Sequence, residues 1–170
     1  MKNFLLTGEK NSGKSTAVYK MVRNASFSCG GVLSLPVISN GAKIGIDALD
    51  IMTGESKALA RVGGDFKGIE MGRYKISGKG IKHGENAINR AIGNCKLVVI
   101  DEIGPLELNG RGWIKAAEYA LESESNVFIV VRSQLRDAFI EKYGKYGLNV
   151  INFNGISLSE LQKKLCEKRT

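Results

Sequence analysis

The sequence predicts an α/β fold on a mainly parallel sheet, and three observations carry that prediction. Short β-rich apolar runs alternate with segments of helical spacing. The central runs, "KLVVID" at 96–101 and "NVFIVV" at 126–131, are apolar almost throughout, as strands buried on both faces are. Between the first apolar run and the first helical segment stands "GEKNSGKST", residues 8–16, a pattern that belongs between a strand and a helix.

The elements follow in order. Residues 2–7 read as a short buried strand, and 14–24 carry helical spacing through Ala17, Val18, Met21 and Val22. Residues 27–38 are extended, Asn40-Gly41 supplies a tight hairpin turn into "KIGIDALDIM", and Thr53-Gly54 turns the chain into "SKALARV". This is an antiparallel excursion of about three strands, an insertion over approximately 35–80. Glycines recur irregularly between 63 and 84, where a strand near 69–76 is expected inside mobile connections. A helix at about 84–94, the strand 96–101, a helix near 110–123, the strand 126–131 and a helix at 133–143 come next. A strand at 148–153 and a helix from about 157 complete the chain. At 170 residues, this reads as one domain over 1–170.

Composition narrows the function classes. With 43% apolar and 25% charged residues, a folded soluble protein is expected. No apolar run approaches the ~20 residues of a membrane span, and the N-terminal apolar stretch is too short for a signal peptide. Cys29, Cys95 and Cys166 show neither metal-ligand spacing nor the density of a disulfide framework. They read as thiols of a reducing cytoplasm. The net charge of +8 asks for an acidic partner. Nucleoside triphosphates and nucleic acid both qualify. No Arg-rich block interleaved with aromatics supports nucleic acid, however, and the terminal cluster Lys163, Lys164, Lys168 and Arg169 is weak. The sequence sets no oligomeric state.

The motif is G-x-x-x-x-G-K-[ST], with Gly8, Gly13, Lys14 and Ser15 in the required places. Its glycines let the loop of Glu9, Lys10, Asn11 and Ser12 wrap closely enough for backbone N–H groups to face an anion. The helix that starts near Gly13 adds the positive end of its dipole. Lys14 then reaches the β- and γ-phosphates, Ser15 ligates Mg²⁺, and Thr16 is placed for the α-phosphate. Further along, the run Leu97 to Ile100 ends at Asp101-Glu102. An acid at the carboxyl end of a buried parallel strand faces the crevice where α/β ligands sit. Asp101 would orient Mg²⁺ through its water shell, and Glu102 would activate water against the γ-phosphate. The plainer alternative is a strand that ends in solvated polar residues.

"GEKNSGKST", "CGGVLS", "TGESKALARV", "MGRYKI" and above all "VVIDEIGPLEL" together resemble the small P-loop nucleoside-triphosphatases of thermophiles and their human cancer-related homologue, relatives of nucleotide kinases. The resemblance runs from residue 1 to about 155. It implies a three-layer P-loop NTPase with a RecA-like, mainly parallel central sheet and a β-rich antiparallel insertion after the first helix. It also implies Mg²⁺-dependent hydrolysis of several triphosphates, ATP, GTP, CTP and UTP among them. The chain departs from the family pattern at Val32, Ser34, Pro36 and Ile38, where the family reads Phe, Thr, Glu and Arg. Lys43 stands where an arginine is common, and the family's C-terminal Asn-Arg pair is not evident in "NFNGISLSEL". These departures bear on base recognition and rate.

In the strand order that the resemblance implies, "NVFIVV" lies between the loop strand and the Asp101 strand. Arg132 would then either stabilise charge at the γ-phosphate or simply cap a strand. Arg61 has the same two readings, and Glu107 is either a site neighbour or a loop acid. His83 reads as a loop histidine, and Trp113 as a half-buried helix aromatic rather than a base-stacking one. Three activities fit: triphosphate hydrolysis, a nucleotide or small-molecule kinase, and a nucleotide-dependent binding switch. A kinase needs a lid; the 63–84 segment is long enough but holds only Arg73 among arginines.

Overall fold

The structure, a computed structural model, describes residues 2–154 and 156–166. Lys168 and Arg169 of the terminal cluster, and the side chains of Lys164 and Cys166, lie outside what it describes. In chain order the elements are β1 (Asn3–Gly8), α1 (Lys14–Arg23), β2 (Cys29–Ser39), β3 (Ala42–Asp50), β4 (Ser56–Val62), β5 (Gly68–Met71) and β6 (Tyr74–Ser77). Then come α2 (Gly78–Ala91), β7 (Leu97–Ile103), α3 (Pro105–Leu108), α4 (Ile114–Glu122), β8 (Asn126–Arg132), α5 (Arg136–Tyr143), β9 (Leu148–Asn152) and α6 (Leu158–Cys166).

Among the described residues one sheet runs through the chain in the order β5-β6-β4-β3-β2-β7-β8-β1-β9. The expectation of a mainly parallel sheet is corrected: the sheet is mixed. β2, β7, β8, β1 and β9 pair in parallel, whereas β2–β3, β3–β4, β4–β6 and β6–β5 pair antiparallel. The physical reason is β2. Its residues Cys29 to Val32 pair with β7, and from Val32 onward the same strand pairs with β3. The insertion therefore extends the central sheet through hairpins and does not stand apart from it.

Alternation along the central strands builds two cores. Leu5, Val98, Ile100, Val127 and Ile129 face one side, where Ala87 and Ile88 of α2, Ala117 of α4 and Phe139 of α5 cover them. Phe4, Leu6, Val99, Phe128 and Val130 face the other, against Val18 and Met21 of α1 and Leu161 of α6. Each fully buried aliphatic contributes about 1.5–3 kcal/mol relative to exposure, so these three layers hold the sheet's centre rigid.

Three expectations shift. The strand near 69–76 is the hairpin β5–β6, which reverses at Gly72-Arg73. Helix α2 begins at Gly78 and not at 84, with the Ser77 hydroxyl accepting the Gly80 N–H at 3.2 Å as an N-cap. His83 is thus a helix residue, its Nε2 3.0 Å from the Glu55 carbonyl. The helix expected near 110–123 is α4, which starts at Ile114; the short α3 precedes it, and Trp113, just before α4, is fully buried.

Candidate active site

The carboxyl ends of β1, β8 and β7 lie side by side, with β8 in the middle as the strand order of the resemblance requires. β1 ends at Gly8, and the loop 9–13 leads into α1. Gly13 sits at φ +89°, a left-handed conformation that glycine adopts without strain, and turns the chain straight into the helix. The loop closes around its own lysine. The Lys14 ammonium donates to the carbonyls of Gly8 (2.9 Å) and Glu9 (2.5 Å) and lies 3.3 Å from the Ser12 hydroxyl. Burial lowers its proton affinity, and nearby Arg132 adds to this against the opposing pull of Glu102, Asp101 and Glu9. Lys10, Asn11 and Ser12 are exposed. Glu9 accepts the Ser133 hydroxyl at 2.5 Å, which moors the loop to the end of β8.

Asp101 is fully buried near the end of β7. The Ser15 hydroxyl donates to its Oδ1 at 3.2 Å, so the loop's hydroxyl and the strand's acid meet although 86 residues separate them. The other oxygen, Oδ2, accepts the Ser34 backbone N–H at 3.1 Å, and the Ser34 hydroxyl donates to the Asp101 carbonyl at 2.9 Å. Burial, and after it the charge of Glu102, raises the Asp101 pKa to about 7. Two hard oxygens at this distance, one on a carboxylate short of positive charge, suit a small divalent cation that takes its remaining ligands from water and phosphate. Among the described residues no group of three or more His, Cys, Asp or Glu forms a protein cage.

Glu102 has a positive φ of +70°, uncommon for a residue with a side chain. The β7–β8 register slips between Ile100 and Ile103, so Glu102 sits on a bulge that turns its carboxylate out of the sheet alternation. There it accepts both Nε (2.7 Å) and the terminal nitrogen of Arg132. Arg132 pairs in register with Gly8, the first glycine of the loop, and so stands between loop and acid.

The other candidates divide. Glu107 is buried beside the site and accepts the Gly104 N–H at 3.0 Å, while burial pushes its pKa up to about 7. Arg61 lies elsewhere, on β4, where it pairs with Asp47 at 2.6 Å and donates to the carbonyls of Ile46 and Ala60. Trp113 packs on α2 so closely that a Cβ on Gly84 would fall 2.3 Å from its ring. The 63–84 segment, long enough for the lid that a kinase needs, forms the start of α2 and, before it, the β5–β6 hairpin at the far edge of the sheet. At about 4.8 Å per strand, the hairpin lies roughly 30 Å from β1 along the sheet. Ser34 is the site residue whose role the sequence reading misses: it stands in "CGGVLS" where the family reads Thr, but nothing local ties its hydroxyl to Asp101.

A family model described as NTPase matches residues 3–166. The nucleoside-triphosphatase THEP1 of Methanosarcina acetivorans is 31% identical, over 99% of this chain and 97% of its own length. That of Thermofilum pendens is 34% identical over 78% and 75%. Two solved structures share the fold. The crystal structure of THEP1 from the hyperthermophile Aquifex aeolicus superposes with a TM-score of 0.78 at 19% identity, covering 97% of this chain and 99% of that one. The solution structure of a human cancer-related nucleoside triphosphatase gives 0.75 at 20%, covering 97% and 95%. With a match that spans nearly the whole chain and a phosphate-loop motif that meets a buried acid, this chain belongs to the NTPase family that includes the THEP1 nucleoside-triphosphatases.

Proposed function

We propose that the chain hydrolyses nucleoside triphosphates to diphosphate and phosphate, with Mg²⁺ as cofactor and with broad base tolerance. The observation that carries this reading is the meeting of Ser15 with Asp101 at 3.2 Å, one residue from Glu102. The named activity of relatives at 31% and 34% identity supports it.

In this reading Lys14 leaves the carbonyls of Gly8 and Glu9 for the β- and γ-phosphates, and the loop's N–H groups share the remaining charge. Ser15 and Asp101 would hold Mg²⁺, Asp101 through water. When bound, the ion screens phosphate charge and polarises the γ-phosphoryl group. Glu102 takes the proton of the attacking water. Arg132, paired with Glu102 before substrate arrives, is close enough to the loop to stabilise charge that builds on the γ-phosphate. Glu9 moors the loop, and Ser34 keeps Asp101 aimed.

Free thiols at Cys29 and Cys95 support a cytoplasmic setting. The test follows phosphate release from ATP, GTP, CTP and UTP, with Mg²⁺ or a chelator, alone and with nucleosides or nucleoside monophosphates. Release without an acceptor, lost on chelation and similar across bases, is expected. Transfer of the γ-phosphate to one acceptor, with negligible release alone, would replace hydrolase by kinase.

A further inference from the structure

Glu102 holds a conformation that its own backbone does not favour. A residue with a side chain persists at φ +70° only where its surroundings over-determine it. On the upstream side the Asp101 carbonyl accepts the Ser34 hydroxyl at 2.9 Å. On the downstream side Ile103 is fully buried and pairs with Val131 of β8. The next backbone donor, the Gly104 N–H, goes to Glu107 Oε2 at 3.0 Å. Glu102 thus stands between two clamps, and the second ends in a carboxylate that the hydrolytic steps leave unused.

We propose that Glu107 is a positioning residue: by gripping the backbone two residues beyond Glu102, it fixes the bulge that aims the Glu102 carboxylate. This inference rests on the hydrolase reading above and adds what holds the general base in place. In form the contact is a helix cap, with the third residue of α3 reaching back to the N–H that precedes the helix. Two observations take it beyond a cap. α3 is a single turn of four residues, yet its capping glutamate is only 7% exposed. The carboxylate also serves more than that turn. Burial disfavours its charge most, backbone hydrogen bonds of Gly104, Glu107 and Trp113 favour it, and the charge of Glu102 is near enough to oppose it.

The surroundings are shaped to seat this carboxylate. Gly112 sits at φ +59°, and a Cβ there would fall 2.1 Å from Oε1, so the chain before α4 closes over the second oxygen. α3 is footed in the outer strands as well, where Leu106 packs with Ala60 of β4 and Ile76 of β6. A carboxylate suits the seat because it only accepts, with two oxygens for backbone donors that converge on it. An amide of the same length would set its NH₂ against one of them.

The experiment is a double-mutant cycle on wild type, Glu107→Leu, Glu102→Gln and the double variant. Single-turnover phosphate release at saturating Mg²⁺–ATP gives the rate, and calorimetry with a non-hydrolysable ATP analogue gives the affinity. Glu107→Leu should slow release about 10- to 100-fold, as displacing a reacting group by about 1 Å does, and leave affinity within about twofold. In the Glu102→Gln background the same substitution should cost less than about twofold, since no base is left to aim. Gly112→Ala, which crowds the carboxylate but keeps it, should repeat both results and decides the matter if Glu107→Leu does not fold. A Glu107→Leu rate near that of wild type overturns the proposal. So does an equal rate loss in both backgrounds, which a merely structural role would give and which leaves Glu102 as the base. A Glu102→Gln protein with normal turnover overturns the base and its positioning residue together.

Discussion

Replacing Glu102 by Gln separates chemistry from structure at this site. Glutamine keeps an acceptor oxygen for Arg132 and the length of the side chain, but it cannot take a proton from water. The structural loss is small: the ion pair is partly solvated, with side chains 23% and 29% exposed, and such pairs contribute about 0–1 kcal/mol. For a chain of this length that is a fall of at most about 2–4 °C in melting temperature. A lost general base removes about 10²–10⁴ in rate, equivalent to roughly 3–5 kcal/mol of barrier. The chemical effect should therefore exceed the structural one several-fold. Single-turnover phosphate release at saturating Mg²⁺–ATP gives the rate, and calorimetry gives the affinity. A rate within tenfold of wild type refutes the assignment, and so does an affinity loss as large as the rate loss, which would put Glu102 in binding.

Lys14→Ala should abolish turnover and strongly weaken triphosphate binding; unchanged affinity in a folded variant would overturn the loop's role. Gly31 has φ +104°, and a Cβ there would lie 2.1 Å from the Val99 carbonyl, so Gly31→Ala should cost more than about 2 kcal/mol in denaturant unfolding. Asp101 and Glu107 both have folded pKa values raised to about 7, mainly by burial. Their stabilising contribution is full below the ordinary carboxylate range, near pH 4, and is lost as pH rises through about 7. Without Mg²⁺ and nucleotide, thermal melts should thus be higher at pH 5 than at pH 8, and Glu107→Gln should flatten that slope; an unaltered slope would count against the buried acid.

The central strands are legible because burial on both faces leaves uninterrupted apolar runs, and β1, β7 and β8 fall where those runs lie. The loop is legible because its chemistry is local: one strand end, a few backbone groups and one lysine. What escapes is set by distant neighbours. The first two turns of α2 look like a loop because they carry Gly78, Gly80 and Gly84, poor helix formers. Two of the three answer to packing: a Cβ on Gly80 would meet the Ala58 carbonyl at 2.3 Å, and one on Gly84 would meet Trp113. Ser34 escapes for the same reason, as its partner Asp101 is 67 residues away. The antiparallel hairpins were visible from their turns, but nothing local says that they join the parallel strands edge to edge.

That junction has a consequence for how the molecule tolerates change. The phosphate loop, Asp101, Glu102 and Arg132 all hang from β1, β7 and β8, and none of these strands borders β3, β4, β5 or β6. The outer strands reach the chemistry at two seats: β2, where Ser34 is bonded to Asp101, and the small cluster in which Ala60 of β4 and Ile76 of β6 pack against Leu106, the neighbour of Glu107. Length and surface charge in the rest of the outer wing can therefore drift without moving a reacting group. The wing is where this scaffold can be remodelled, by evolution or by hand, as long as those two seats hold.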